Sequence, residues 1–100
     1  MAQFDVYIGR SKNAKYFIDL QDNILDTLTT RVVAPLVPLE LINLPIKNVN
    51  PIIYVNDEKL LLFTHLLAAI PCKQLGKCIG NIRTQRNEIV AALDMLFTGV

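Results

Sequence analysis

The stretch "IVAALDMLFTGV", residues 89–100, sets its apolar side chains at helical spacing, whereas the apolar segments before it mostly alternate at the period of strands. Ile89, Leu93 and Leu96 fall on one stripe with Val90 and Phe97 beside it, and Glu88 and Asp94 lie off it. Strands followed by one terminal helix define an α+β domain. Thr84 is placed to cap the helix start, with Asn87 where a full capping box has Glu or Gln. Gly99 suits the left-handed conformation just past the helix end. An ending of Phe97, Thr98, Gly99 and Val100 is apolar where chain ends are usually polar, which marks the tail as a contact surface.

The earlier segments set the sheet. "QFDVYI" alternates Phe4, Val6 and Ile8 against Asp5 and Tyr7, and after the polar turn "GRSKNAK" the segment "YFIDL" resumes as a second strand. The resulting hairpin has a basic tip. "TTRVVAPLVPL" begins as a β-branched run, and Pro35 and Pro38, which cannot donate to a central ladder, predict that the strand ends near Ala34. "PIIYV" and "KLLLF" flank "NDE" and form the clearest hairpin in the chain. Thr64–Ile70 reads as a short helix closed by Pro71, and "CKQLGKCIG" as one short strand with a turn at Gly76.

Composition limits the function classes. A chain of 100 residues that is 52% hydrophobic can bury a core without metal or disulfide, so one domain over residues 1–100 is expected. Ten basic and nine acidic side chains are scattered to a net charge of +1, which leaves no phosphate-binding footprint for direct nucleic-acid binding. Cys72 and Cys78 are too few for a disulfide scaffold, and His65 is the sole histidine, so no structural zinc site and no cofactor are expected. Free thiols indicate a reducing cytoplasm. The N-terminus has no basic segment leading an apolar one, and "LLLFTHLLAAI" is half the length of a membrane span, so a soluble cytoplasmic protein is expected. A chain this apolar is expected to hide part of its surface in a homodimer built partly from the terminal helix.

Chemistry-bearing motifs are scarce. There is no P-loop, no paired glycine fingerprint and no ligand cluster; His65 stands in an apolar run, where a packed or hydrogen-bonded histidine is the plainer reading than a base. Cys78 beside Lys77 has no evident base and orienter, and Arg31, Thr30 and Glu58 read as ordinary strand and turn residues. A binding module is favoured by elimination, with no catalytic residue.

Five blocks carry a resemblance: "QFDVY", "YFIDLQDNILDT", "RVVAPL", "PIIYVND" and "RNEIVAALDMLFTGV", in this order over nearly the whole chain. Together they resemble the CcdB family, the toxins of ccd toxin–antitoxin modules. The resemblance implies an SH3-like barrel of antiparallel strands with a C-terminal helix, shared with MazF and Kid toxins. It implies a homodimer that binds the A subunit of DNA gyrase and traps gyrase on cleaved DNA, without breaking a bond itself. Transferred to matching positions, the gyrase surface comprises Ile24, Leu25, Asn87, Asp94, Phe97, Thr98, Gly99 and Val100. Well-known members carry Trp where this chain has Thr98 and Asn where it has Asp94, a smaller anchor and an added charge. The second implied partner is the antitoxin CcdA, whose acidic tail would meet the basic loop of Arg10, Lys12 and Lys15; operator DNA would be reached only through it. The alternatives are a MazF/Kid-type endoribonuclease, which would need a groove where Arg31 or His65 acts on RNA, and a dimerising domain that only binds antitoxin.

Overall fold

The structure is a computed structural model that describes residues 1–9, 14–25, 27–39 and 49–99. Among these residues, the elements are β1 (Asp5–Ile8), β2 (Tyr16–Asp19), β3 (Thr30–Pro38), β4 (Ile52–Val55), β5 (Glu58–Leu62), β6 (Ala68–Pro71), β7 (Cys78–Asn81) and α1 (Arg86–Thr98), with short 3-10 turns between several of them. All pairings are antiparallel, in the order β4-β5-β3-β2-β1-β7, and β6 pairs with β3. The sheet curls into an SH3-like half-barrel with α1 packed on it, the expected fold.

The sheet is buried on both faces through its centre. Val6, Ile18, Ala34 and Leu36 point to the main core, where they meet Ile53, Leu60 and, from α1, Ile89. Their neighbours Tyr7 and Val33 pack with Leu75, Phe17 and Ile70 on the other side. That corrects the alternation expected for β1: Tyr7 is buried and Ile8 is exposed, because the segment ending at Leu75 covers the second face. Phe4 is buried but precedes the strand, with a left-handed φ of 70° fixed by its N–H to the Asp19 carbonyl and by its carbonyl to the Ile82 N–H.

β3 passes both prolines instead of stopping near Ala34. The reason is nonlocal. One edge of β3 is shared by two partners, β6 against Thr30–Val33 and β5 against Leu36–Pro38. Pro35 falls between them, where its carbonyl accepts the Phe63 N–H and no donor is required of it. Pro38 is the last residue of the strand. The β4–β5 hairpin is as expected: Val55 pairs with Glu58 across Asn56 and Asp57, whose φ values of 49° and 66° give the doubly left-handed two-residue turn that suits strand twist.

The helix expected over Thr64–Ile70 is a single 3-10 turn, Thr64–Leu66, followed by β6, since β3 offers this segment a ladder. Thr84 does not cap α1; it lies in a 3-10 turn, Arg83–Gln85. Gln85 instead clasps the edge strand β4, its Oε1 accepting the Tyr54 N–H at 2.9 Å and its Nε2 donating to the Tyr54 carbonyl at 2.7 Å. The helix start is thus fixed by tertiary bonds rather than a local cap. At the other end Gly99 adopts φ 78° and donates to the Met95 carbonyl, as its position past the helix requires.

Candidate partner-binding surface

Two apolar features meet at one end of the barrel. The 3-10 turn Asn23–Leu25 leaves Ile24 82% and Leu25 47% exposed, and the last turn of α1 leaves Phe97 69% exposed. Between them runs a groove of ≈ 440 Å³ to which Leu25, Leu28, Leu93 and Phe97 contribute. Leu28, 49% exposed, also borders a second groove of ≈ 630 Å³ with Thr29, Pro71 and Cys72. Exposed aliphatic and aromatic carbon clustered in this way marks a surface that gains by being covered.

The helix explains why Phe97 is outside. Ile89 and Ala92 are buried, and Val90 and Leu93 pack against the core, which uses the inward stripe in the first two turns. Phe97, in the last turn, belongs to neither of the two core clusters and is left at the groove. Thr98 is exposed, and its Oγ1 donates to the Asp94 carbonyl at 2.7 Å, so the hydroxyl is satisfied within the helix. Asp94 and Gly99 are also exposed near the tip. Asn87 is exposed but sits in the first turn, about 15 Å along the axis from Phe97 at the usual rise per residue. Val100 lies outside the described residues. The structure therefore brings Leu25 and Phe97 to one groove, sets Ile24 beside Leu25, and leaves Asn87 apart.

The exposed turn is held by polar groups that sequence reasoning passed over. Arg31 and Asp19 form an ion pair, Nε to Oδ2 at 2.7 Å, with both side chains fully buried. Arg31 Nη2 donates to the Gln21 carbonyl at 3.1 Å, and Asp19 Oδ1 accepts the Gln21 N–H at 2.9 Å. The Gln21 side chain then bridges two elements, accepting the Val32 N–H on β3 and donating from Nε2 to the Leu25 carbonyl at 2.9 Å. Asn23 Oδ1 accepts the Gln3 N–H at 2.6 Å, and Asp22 Oδ1 accepts the Ile24 N–H. Arg31 Nη1 is buried without a hydrogen-bond partner. Residues 19, 21 and 31 follow no local motif, and Arg31, which reads in the sequence as an ordinary strand residue, is instead half of a buried pair.

The remaining polar candidates lie elsewhere. Lys15 is the described member of the basic loop, since Arg10 and Lys12 fall outside the described residues; its Nζ reaches both Glu58 carboxylate oxygens at 2.7 Å and stands 5.7 Å from the Tyr16 ring. His65 is exposed, tilted against Phe63 at 5.0 Å, with Nδ1 3.1 Å from Asn50 Nδ2, the hydrogen-bonded histidine expected. Cys72 and Cys78 are free thiols. On the second face Tyr7 donates to Asp5 Oδ2 at 3.1 Å, and burial, reinforced by the Asp5 charge, raises its phenol far above its ordinary range.

The family described as CcdB protein matches this chain over residues 3–99. Among solved structures, one described as an endoribonuclease in complex with its cognate antitoxin from a mycobacterial species superposes with a TM-score of 0.76 at 15% identity, covering 95% of this chain and 92% of that one. At that identity the likeness is one of fold.

Proposed function

The chain belongs to the CcdB family, a family of toxins of toxin–antitoxin modules, and on that premise we propose that it acts by binding the A subunit of DNA gyrase and trapping the enzyme on cleaved DNA. The observation that carries this reading is the exposure of Leu25 and Phe97 on one groove, from segments far apart in sequence, with exposed Ile24 next to Leu25 in the turn. Covering an aliphatic or aromatic side chain of this size contributes about 1.5–3 kcal/mol, so a few such anchors at the centre of an interface supply much of its affinity. Asp94, Thr98, Gly99 and Val100 extend the contact from the helix end, and Asn87 is its outlying member. A homodimer that pairs the terminal helices would present the surface twice about one axis. The chain acts as one domain, in the cytoplasm; among the described residues no helix is long and apolar enough to cross a membrane.

The antitoxin is the second partner, a CcdA-type chain whose acidic segment meets the loop of Arg10, Lys12 and Lys15. Lys15 is already paired with Glu58, so an incoming carboxylate exchanges one exposed ion pair for another at little cost. Operator DNA is engaged through the antitoxin.

A ribonuclease reading has the fold likeness in its favour and one of its two side chains against it. Arg31 is wholly buried in its pair with Asp19 and is closed to RNA, whereas His65 is exposed, with its Nδ1 on Asn50, and is the one residue that reading could still use. The deciding experiment incubates the purified protein with gyrase, ATP and supercoiled plasmid, and separately with RNA. Accumulation of gyrase-linked cleaved DNA, lost in Phe97→Ala, is the expected result. Cleavage of RNA without an effect on gyrase would overturn the proposal, and inactivity in both with antitoxin binding intact would leave only an antitoxin-binding domain.

A further inference from the structure

The Asn23–Leu25 turn is bonded more heavily than an exposed turn needs for its own sake. It buries no side chain, and Ile24 is 82% exposed, so packing does not hold it. Yet it is tied on both sides: Gln21 Nε2 to the Leu25 carbonyl, the Gln3 N–H to Asn23 Oδ1, and the Ile24 N–H to Asp22 Oδ1. Gln21, itself 7% exposed, is in turn fixed by the buried Asp19–Arg31 pair through its own backbone N–H and carbonyl. A buried charge pair stabilises a fold little compared with apolar packing, but it fixes the groups bonded to it, here the Gln21 N–H and carbonyl behind the exposed turn.

We propose that Gln21 and Asn23 are positioning residues that hold Ile24 and Leu25 in their partner-bound conformation, so that binding does not have to order the turn. Their role is to hold the turn rather than to contact the partner, although Gln21 also lines the groove beside Leu25. Gln21 acts on Leu25 from the barrel side, and Asn23 anchors the turn to the N-terminal segment. A turn already in place spares the ordering entropy that a loose loop loses on association. This inference rests on the gyrase reading of the surface, and its test separates the two.

Binding of purified gyrase A subunit by titration calorimetry is measured for Gln21→Leu, Asn23→Ala and Asn23→Asp, beside Ile24→Ala and Phe97→Ala, with thermal melting of every variant. Gln21→Leu removes both side-chain bonds of Gln21. Asn23→Ala removes the acceptor for Gln3 at an exposed position where folding is not at stake, and Asn23→Asp keeps it. Loss of preorganisation in Gln21→Leu or Asn23→Ala should weaken binding about five-fold each. Asn23→Asp should stay near the parent, Asn23→Ala should melt with it, and amide exchange at Ile24 and Leu25 should quicken in both weakened variants. If Ile24→Ala and Phe97→Ala lose affinity while Gln21→Leu and Asn23→Ala keep it, the positioning role is overturned and the surface stands. Asn23→Asp as weak as Asn23→Ala would make Asn23 a direct contact, and would also overturn it. If none of the five loses affinity, the gyrase surface itself is wrong and the positioning role falls with it.

Discussion

Around the Asn23–Leu25 turn the protein buries charge, and on the turn itself and at the end of α1 it exposes hydrocarbon. Asp19 and Arg31 have no solvent exposure, whereas Ile24 and Phe97 keep most of theirs. Each region inverts the usual partition between interior and surface, and the two inversions have different consequences. A buried ion pair is costly to break and cheap to replace whole, so it constrains the fold. An exposed apolar cluster contributes nothing to the isolated chain, so it constrains what the chain meets. Substitutions inside should therefore cost stability, and substitutions outside should cost binding alone.

The largest effect is expected at Arg31. Arg31→Ala leaves Asp19 buried without its counter-charge and frees the Gln21 carbonyl, and removing one member of a buried pair typically costs about 3–5 kcal/mol. Denaturant unfolding measures it. The double replacement Asp19→Leu with Arg31→Met should recover most of that loss, because the charge left behind is gone. If the double variant is no more stable than the single one, the pair is holding the fold by its charges, and the contrast drawn between the two regions is broken on its inner side.

Outside, removal of Thr98, Gly99 and Val100 should leave the melting curve nearly unchanged, since neither Thr98 nor Gly99 is buried and the loss is confined to the helix end, where the Gly99 N–H bonds the Met95 carbonyl and the Thr98 hydroxyl bonds the Asp94 carbonyl. Binding to gyrase should weaken by about 2 kcal/mol or more if the tip lies at the centre of the interface. Thr98→Trp should strengthen it, because the hydroxyl now bonds only within the helix and an indole would add anchoring area. A truncated protein that traps cleaved DNA as well as the intact one would sink the assignment of this surface.

How far the sequence foretells these regions depends on whether the cause is local. The Asn56–Asp57 turn and the left-handed Gly99 were legible because short-range residue chemistry decides them. The passage of β3 through Pro35 was not, since it depends on β5 and β6 dividing one edge, which no window around the proline contains. The start of α1 escaped for the same reason: Gln85 is spent on Tyr54, thirty-one positions away. At the candidate surface, Ile24, Leu25 and Phe97 came from family resemblance, and the meeting of Leu25 and Phe97 at one groove is structural information. Gln21, Asn23 and Arg31 act through backbone groups of other segments, so no pattern of spacing announces them.

A smaller effect is expected at Tyr7, a buried phenol on the second face, which tests the inner region by pH. Its phenol is held neutral by burial and by Asp5, which lifts its folded-state value above the ordinary 10. The folded protein then binds a proton that the unfolded chain has released, so this contribution is complete below pH 10 and is lost as pH climbs through the raised folded value. Tyr7→Phe should cost about 1 kcal/mol near neutrality through the bond to Asp5 and should flatten the alkaline decline. A decline of the same steepness in the variant would assign it to other groups.

The smallest effect belongs to the control for the whole comparison, the Lys15–Glu58 pair. Its 2.7 Å separation equals that of Asp19–Arg31, but its side chains are 44% and 36% exposed. Water already solvates both charges, and holding two flexible chains together offsets part of the attraction, so Glu58→Gln should change stability by about 0.5 kcal/mol or less and the change should shrink further in salt. Denaturant curves at low and high ionic strength, run beside Arg31→Ala, make the comparison at fixed distance. A loss at Glu58 approaching that at Arg31 would mean that separation rather than burial sets the worth of an ion pair here, and the division between an interior that fixes the fold and a surface that meets partners would not hold for its charges.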